Sequence, residues 1–295
     1  FFQVDLDHYV PARVTIRLAN DNTFMSYSLA QIQPNTFLTE RLSHQVVNNM
    51  KYVDVELTHE GLSRETRFHY LLQAVGPGQE YHVISNDRNC SIETKPGTFY
   101  QTNVIWIDKV KEFAPVTDGF HLSPVYQIQP FDLAIKSKFR VGIRYDRDLV
   151  EHSNLGIYYY DGKEEEWVYT PTENNRRKQI LTAELEQMDA VTVIQDLDSP
   201  QIKNTFPGNS GRYHIQDVNR IEIEVDDSIS GIESEEASFD LLLNDNPVHP
   251  AYQPLKKTVS YNFDHPLKEG QHKIDFKVRD RMGNESAGTI YFSVY

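Results

Sequence analysis

Several groups of carboxylate side chains in this sequence have the residue types that bind a cation. They are Asp196 with Asp198, the pair Asp226-Asp227, Glu233 with Glu235-Glu236, and the run Asn244-Asp245-Asn246. Calcium binds several carboxylate and carbonyl oxygens together, so each group is a candidate calcium site. The alternative, which the sequence favours, is that they are solvated turns. The segment 226–231 in particular predicts a defined loop, because Asp and Ser side chains bond to nearby backbone and glycine supplies a positive φ.

A run of aromatic residues could bind a sugar. Tyr158, Tyr159 and Tyr160 are followed by Trp167, and two or three exposed coplanar rings would form a platform for a glycan. On a β-strand Tyr158 and Tyr160 share one face and Tyr159 points the other way. The alternative is that one face belongs to a core and the other packs under a neighbouring domain.

The motifs of common catalytic sites are not found. The eleven histidines include no His-x-His pair and none has an Asp four residues later, so the sequence lacks the zinc ligands of a metallopeptidase. His59-Glu60 lacks the second histidine of a zincin helix, since Ser63 stands there. Cys90 has no signature of a reactive thiolate. We therefore predict no catalytic, cofactor-binding or metal-ligating residue in this chain, and zinc only in an upstream domain if that domain is present.

Composition restricts the classes of partner. The chain has 295 residues, with 29 Lys+Arg against 43 Asp+Glu and a formal net charge of −14. This acid excess argues against general nucleic-acid or anionic-membrane binding. One cysteine cannot form an intramolecular disulfide, and no apolar run approaches the ~20 residues that span a bilayer.

The elements that must position these residues are strands. Polar and apolar residues alternate at 13–18, 52–57, 139–145, 220–225 and 273–278, which is typical of half-buried antiparallel strands. Only 36–50 and 181–188 have helical character. We expect an all-β protein of three consecutive antiparallel β-sandwich domains of the immunoglobulin or fibronectin type, with residues 1–85, 86–197 and 198–295 as the three blocks.

The third block resembles the immunoglobulin-like modules of bacterial secreted and envelope proteins. The residues that carry the resemblance are Asp198-Ser199-Pro200-Gln201-Ile202, Asp226-Asp227-Ser228-Ile229-Ser230-Gly231-Ile232, the strand 238–244, His249-Pro250-Ala251-Tyr252, Gly270-Gln271-His272-Lys273-Ile274 and Asp280-Arg281-Met282-Gly283-Asn284-Glu285-Ser286. Six matching elements in order over ~95 residues imply an immunoglobulin-like sandwich.

The second block is similar to a ZU-type sandwich, on the residues 91–100, Ser123-Pro124-Val125-Tyr126, Leu155-Gly156-Ile157 with the tyrosines that follow, and Trp167. The two blocks in this order resemble the non-catalytic C-terminal region of LytM/lysostaphin-type zinc murein peptidases. The resemblance implies a bacterial protein that is secreted, periplasmic or on the cell surface, with a peptidase domain upstream. The start at Phe1 without Met agrees with an internal or C-terminal fragment.

Three functions remain open at this point. The chain is a non-catalytic accessory or scaffold region attached to an upstream domain of the same polypeptide. Alternatively, it is a surface module that binds peptidoglycan or another envelope glycan. The third hypothesis is an enzyme with an unrecognised site between domains. This hypothesis predicts a concave pocket with carboxylates of raised pKa. The first rests on family resemblance.

Overall fold

The computed structural model describes residues 1–111, 113–116, 119–145, 154–234 and 236–295, with only the backbone of Glu236. In this part of the chain nearly every regular element is a strand, as the alternating pattern predicts. The five alternating segments lie in strands, apart from Tyr145; these strands are Arg13–Ala19, Tyr52–His59, Phe139–Arg144, Arg220–Asp226 and Gly270–Arg279. The all-β prediction is therefore confirmed. No helix of the described residues is both long and apolar enough to cross a membrane.

The first sandwich contains seven strands and one short helix. They are β1 (Gln3–Asp5), β2 (Arg13–Ala19), β3 (Phe24–Ser28), β4 (Ala30–Gln33), β5 (Thr36–Leu38), α1 (His44–Val47), β6 (Tyr52–His59) and β7 (Leu62–His69). The sheets have the orders β1-β5-β4 and β3-β2-β6-β7. Apolar side chains of both sheets, such as Ile16 and Phe37, form the core between them.

Within the described residues, the second sandwich contains twelve strands. They are β8 (Gln73–Val75), β9 (Tyr81–Ile84), β10 (Cys90–Thr94), β11 (Asn103–Val110), β12 (Phe120–His121), β13 (Val125–Gln129), β14 (Phe139–Arg144), β15 (Leu155–Asp161), β16 (Glu166–Thr170), β17 (Thr172–Asn175), β18 (Ile180–Leu185) and β19 (Ala190–Gln195). One sheet has the order β17-β18-β14-β10-β9 and the other β16-β15-β19-β13-β11-β8, with β12 paired to β19. Cys90 is 1% exposed in the core between them, and burial raises the pKa of its thiol.

Nine strands of the described residues form the third sandwich. They are β20 (Gln201–Phe206), β21 (Gly211–Tyr213), β22 (Arg220–Asp226), β23 (Phe239–Leu243), β24 (Asn246–Pro247), β25 (Ala251–Gln253), β26 (Thr258–Asn262), β27 (Gly270–Arg279) and β28 (Glu285–Val294), with 3₁₀ turns at Glu236–Ser238 and Pro254–Lys256. The sheets have the orders β20-β22-β26-β25 and β21-β28-β27-β23-β24. Strands β21 and β28 are parallel, and the other strand pairs of this sandwich are antiparallel.

Two details differ from the sequence pattern. The segment 181–188 is strand β18 for most of its length, because Leu181, Ala183 and Leu185 alternate into the core and this burial outweighs helix propensity. Strands β8 and β9 pair with β11 and β10. Strand pairing therefore groups residues 73–84 with the second sandwich, whereas the sequence pattern placed them in the first block.

Candidate functional site

The second and third sandwiches meet through a hydrophobic contact. Ile229, in the loop after β22, is 8% exposed. It belongs to a cluster whose other buried members come from the second sandwich: Val125, Tyr158, Trp167, Ala190 and Ile194. Its Cδ1 lies 3.0 Å from the place that a Cβ on Gly119 would occupy, so glycine leaves the space that Ile229 fills. Burying such a side chain stabilises the junction by about 1.5–3 kcal/mol.

Amide side chains connect the same two sandwiches. Asn284, in the loop between β27 and β28, donates from Nδ2 to the main-chain oxygen of Asp196 at 3.1 Å. Its Oδ1 accepts a hydrogen bond from Nδ2 of Asn154, at the start of β15. Main-chain and side-chain groups of the second sandwich are thus held by one residue of the third.

Three aspartates lie together at this junction. One carboxylate oxygen from each of Asp196, Asp227 and Asp280 lies within 4.8 Å of one from each of the others. Asp196 is 0% exposed and Asp280 is 5% exposed, while Asp227 is half-buried. We call these three residues the acidic junction.

The ends of three strands bring the acidic junction together. Asp196 is the first residue after β19, Asp227 the first after β22 and Asp280 the first after β27. Each of the two loops of the third sandwich is fixed by its own aspartate. Oδ1 of Asp227 accepts the N–H of Gly231 at 2.6 Å, where φ is +71°, and the predicted 226–231 loop is thereby confirmed.

Asp280 is bound more closely to its loop. Its Oδ1 accepts the N–H groups of Met282 and Asn284, both at 2.8 Å, and its Oδ2 accepts Nδ2 of Asn284 at 2.7 Å. Gly283 supplies the positive φ of +90° that this turn requires. The carboxylate of Asp280 is therefore held rigidly beside the other two.

One oxygen of Asp196 has no partner. Oδ1 accepts the N–H of Asp198 at 3.1 Å, but Oδ2 is buried without a hydrogen bond. The hydroxyl of Tyr158, a residue that is 0% exposed, is likewise buried without a partner. Within the described residues, none of the three aspartates forms an ion pair with a Lys, Arg or His. A buried oxygen left unsatisfied costs about 1–3 kcal/mol.

The pKa values follow from this surrounding. Burial, followed by the charges of Asp227 and Asp280, raises the pKa of Asp196 to about 6, while the nearby Ser230 hydroxyl and the N–H of Asp198 oppose the rise. Burial raises the pKa of Asp280 also, although the hydrogen bonds from Asn284 oppose it. Burial raises the pKa of Tyr158, and the charges of all three aspartates add to this. The acidic junction thus carries excess negative charge in a poorly hydrated place.

This arrangement can bind a cation or share a proton among its carboxylates. Asp196 is 0% exposed, so solvent does not reach its carboxylate directly. A cavity of about 1180 Å³ lies between the first sandwich and strand β11 of the second, and one of about 750 Å³ lies on the second; the three aspartates line neither of them. The carboxyl groups of the acidic junction therefore do not line a concave pocket of the kind that the enzyme hypothesis predicts.

The sequence pointed to two of the three aspartates. Asp196 and Asp227 stand among the predicted acidic groups, but Asp280 was assigned only to the framework of the third block. The sequence signal for Asp280 was the run Asp280 to Asn284. There the carboxylate of Asp280 accepts the N–H of Asn284, and Gly283 supplies the positive φ of the turn. Sequence spacing could not place Asp280 near Asp196, which is 84 residues earlier.

Among the described residues, the other predicted acidic side chains are not members of the acidic junction. Asp198 is exposed, Asp226 pairs with Lys257 and Asp245 pairs with Lys273. Asn244 and Asp245 both have positive φ and form the turn between β23 and β24. Glu235 and the side chain of Glu236 lie outside the described residues.

The predicted aromatic platform is not formed, which corrects that prediction. Tyr158 is 0% exposed and Trp167 is 9% exposed, while Tyr159 and Tyr160 are half-buried. The rings of Tyr160 and Trp167 meet edge to face at 5.3 Å, so they are not coplanar. Tyr159 packs on the core of the second sandwich and Tyr158 on the junction cluster. The alternative, core on one face and a neighbouring domain on the other, describes these rings.

A concave basic face lies on the sheet β17-β18-β14-β10-β9. It lines a cavity of about 750 Å³. Its cations are Arg88, Arg140, Arg144, Arg176 and Lys178, against two acids, Glu93 and Glu173. None of these cations forms an ion pair with another described residue. We call this surface the basic face. It is a local positive surface on a protein with a net charge of −14.

The comparisons with known proteins assign no family. No protein-family model matches the chain, and no curated protein matches it. Among solved structures, the chain is similar to the extracellular domains of two hybrid two-component systems from B. thetaiotaomicron, at 10% and 9% identity with TM-scores of 0.24 and 0.25. The matches cover 82% and 96% of this chain, and 35% and 44% of those chains.

A further match is to immunoglobulin domains 1–4 of Sidekick-1, with 6% identity, a TM-score of 0.18, and 99% and 69% of the two chains covered. The chain spans less than half the length of the two bacterial structures. These TM-scores are low, so the strand pairing of the chain itself defines the fold.

Proposed function

We propose that this chain is a non-catalytic accessory region of a bacterial envelope protein, which holds a neighbouring domain at a fixed distance and orientation. The observation that carries the proposal is the junction between the second and third sandwiches. There Ile229 is buried in the cluster of the second sandwich, and Asn284 bonds to Asp196 and Asn154. A linker between independent domains has few such contacts, whereas a rigid spacer needs them.

The proposal extends to a secreted, periplasmic or cell-surface location and to an upstream murein peptidase. Its support is the resemblance of the second and third blocks to the region that follows the catalytic domain in LytM-type peptidases. The absence of a disulfide is consistent with many locations and does not contribute to the choice. The sequence of the complete protein tests the attachment: His-x-x-x-Asp and His-x-His motifs upstream of Phe1 are expected, and a full-length sequence without them contradicts it.

The rigidity is tested by distance measurements between two spin labels. One label is placed at Glu93→Cys in the second sandwich and the other at Leu255→Cys in the third, both exposed positions. The native Cys90 is 1% exposed and its thiol is not expected to react. We expect a distance distribution as narrow as that of a control pair within one sandwich, Glu93→Cys with Lys163→Cys. A much broader distribution for the first pair refutes the rigid spacer.

A second candidate function is binding of an anionic glycan at the basic face. The specific observation is the group of five cations without described ion pairs around a concave sheet surface. Envelope glycans that carry carboxylate or phosphate groups fit this charge. Peptidoglycan is the first ligand to test, and its binding at such a face should weaken with salt.

The basic face is tested by sedimentation with purified peptidoglycan at low and high salt. The double variant Arg140→Ser with Arg144→Ser is expected to reduce the bound fraction at least about tenfold, since each lost charge-assisted contact contributes about 1.5–3 kcal/mol. The matched control is Arg13→Ser with Arg64→Ser, which removes two exposed arginines from the first sandwich. Equal binding by both double variants contradicts the assignment.

A further inference from the structure

We propose that the acidic junction binds one calcium ion, and that this ion joins the second sandwich to the third. The ion would be held by carboxylate oxygens of Asp196, Asp227 and Asp280, one side chain from the second sandwich and two from the third. This inference goes beyond the accessory role, because the site can exist whether or not the chain acts as a spacer.

The spacing of the three carboxylates suits calcium. Calcium binds oxygen at about 2.3–2.6 Å, so two oxygens on one ion are at most about 4.6–5.2 Å apart. The oxygens of the acidic junction all lie within 4.8 Å of one another. Three carboxylates supply three to six of the six to eight oxygens that calcium takes, and main-chain carbonyls or water supply the rest.

Unpartnered buried oxygens provide an independent observation. Oδ2 of Asp196 is buried without a hydrogen bond, on a side chain that is 0% exposed. It belongs to the carboxylate that faces Asp227 and Asp280. The hydroxyl of Tyr158, on another fully buried side chain, is also unpartnered and close enough for the charges of all three aspartates to act on it. A bound cation satisfies the first atom directly, and a water in its coordination shell is a partner for the second.

The charge of the junction also requires compensation. Three carboxylates come together, and no Lys, Arg or His among the described residues pairs with them. Arg281 is the nearest cation in sequence to Asp280, but its guanidinium faces the ring of Tyr169 at 5.8 Å and the oxygen of Ser230 at 3.4 Å. Buried charges without partners are rare because desolvation is costly, and metal coordination is one of the two ways in which proteins compensate them.

Calcium fits better than magnesium or a shared proton. Magnesium needs oxygens at about 2.0–2.1 Å and retains most of its waters, which a buried group of side chains does not accommodate. A proton on Asp196 neutralises one of the three carboxylates only. A proton and calcium compete for the same oxygen of Asp196. A chain that holds the proton there does not bind calcium, whereas a chain that holds calcium has an ionised Asp196.

The test is a terbium and calcium titration of the full 295-residue chain after treatment with EGTA. Terbium substitutes for calcium at oxygen sites, and its emission is sensitised by nearby tyrosines such as Tyr158. We expect one site per chain, displacement of terbium by calcium, and an apparent Kd below about 1 mM.

Two variants and a control locate the ion. Asp196→Asn and Asp280→Asn are each expected to weaken calcium binding at least about 100-fold, which exceeds the loss seen when only an outer partner of a ligand is removed. The control Asp198→Asn removes an exposed carboxylate from the same segment and is expected to bind normally. Circular dichroism of each variant shows that it is folded. Wild-type chain that binds neither ion, or Asp196→Asn that binds as wild type, overturns the site.

The outcomes for the two proposals are separate. A chain that gives narrow label distances in EGTA but does not bind calcium overturns the metal site and leaves the accessory role. A chain that binds calcium at the acidic junction but gives broad distances in saturating calcium overturns the spacer and leaves the metal site.

Discussion

Replacing Asp196 with asparagine is expected to stabilise the metal-free chain at neutral pH, although it removes a buried carboxylate. The carboxylate of Asp196 is 0% exposed and lies beside those of Asp227 and Asp280. Asparagine keeps the acceptor that receives the N–H of Asp198, at 3.1 Å in the wild type. Its amide can also donate to the two neighbouring carboxylates, which the aspartate anion cannot do.

The magnitude follows from the pKa of Asp196, which burial and the neighbouring carboxylates raise from 3.8 to about 6. Below 3.8 the group is protonated in both folded and unfolded chains and has no effect on stability. Between 3.8 and 6 the unfolded chain loses its proton first, so stability falls as pH rises. Above 6 the full cost is present, at about 1.4 kcal/mol for each pKa unit, or about 3 kcal/mol in all.

The variant should therefore gain more stability at higher pH. We expect Asp196→Asn to be more stable than wild type by about 1.5 kcal/mol at pH 5 and by about 3 kcal/mol at pH 7.5, both in EGTA. Trp167 lies in the junction cluster and reports on unfolding there. Urea denaturation followed by its fluorescence, in a Trp106→Phe background that removes the other tryptophan, measures the difference.

The control for this experiment is Asp198→Asn, which is expected to change the free energy of unfolding by less than about 0.5 kcal/mol at either pH. Two results refute the reasoning. One is an Asp196→Asn variant that is less stable than wild type at pH 7.5 in EGTA. The other is a stability difference that does not grow between pH 5 and pH 7.5, which means that Asp196 is not protonated in the folded chain at the lower pH.

Three other changes test the junction and the first sandwich. Ile229→Ala is expected to destabilise the junction by about 2–4 kcal/mol, through the lost burial and the cavity, and to broaden the label distances between the second and third sandwiches. Asp54→Asn removes the 2%-exposed carboxylate that accepts from Arg67 and Arg17, so a loss of about 1.5–3 kcal/mol is expected at pH 7 by urea denaturation. These bonds, chiefly that of Arg67, lower the pKa of Asp54; the stability they give is present above 3.8 and lost as pH falls below it, so this cost should shrink in acid. Tyr158→Phe removes an unpartnered hydroxyl, and its Tm in EGTA should equal or exceed that of wild type; a fall equivalent to more than about 1 kcal/mol shows that the hydroxyl has a partner.

The sequence by itself determined the strands and the loops. Alternation at 13–18, 139–145 or 273–278 is a local property, since every second side chain of a strand meets the same face. The loop at 226–231 was equally local, because Asp227 bonds to Gly231 four residues away. The division into blocks was predicted from the same kind of pattern, as runs of strands separated by turns. Where propensity and alternation disagreed, at 181–188, burial in the sheet decided the structure.

The tertiary structure alone decided which residues meet. Strands β8 and β9 belong with the second sandwich because of partners at β11 and β10, which periodicity does not identify. The run Tyr158 to Tyr160 read equally well as a glycan platform or as packing, and only the approach of Ile229 and the second core distinguished them. The acidic junction collects one residue from each of three strand ends, up to 84 positions apart. Its burial and charge come from the contact between two sandwiches, and no pattern within either one encodes that contact.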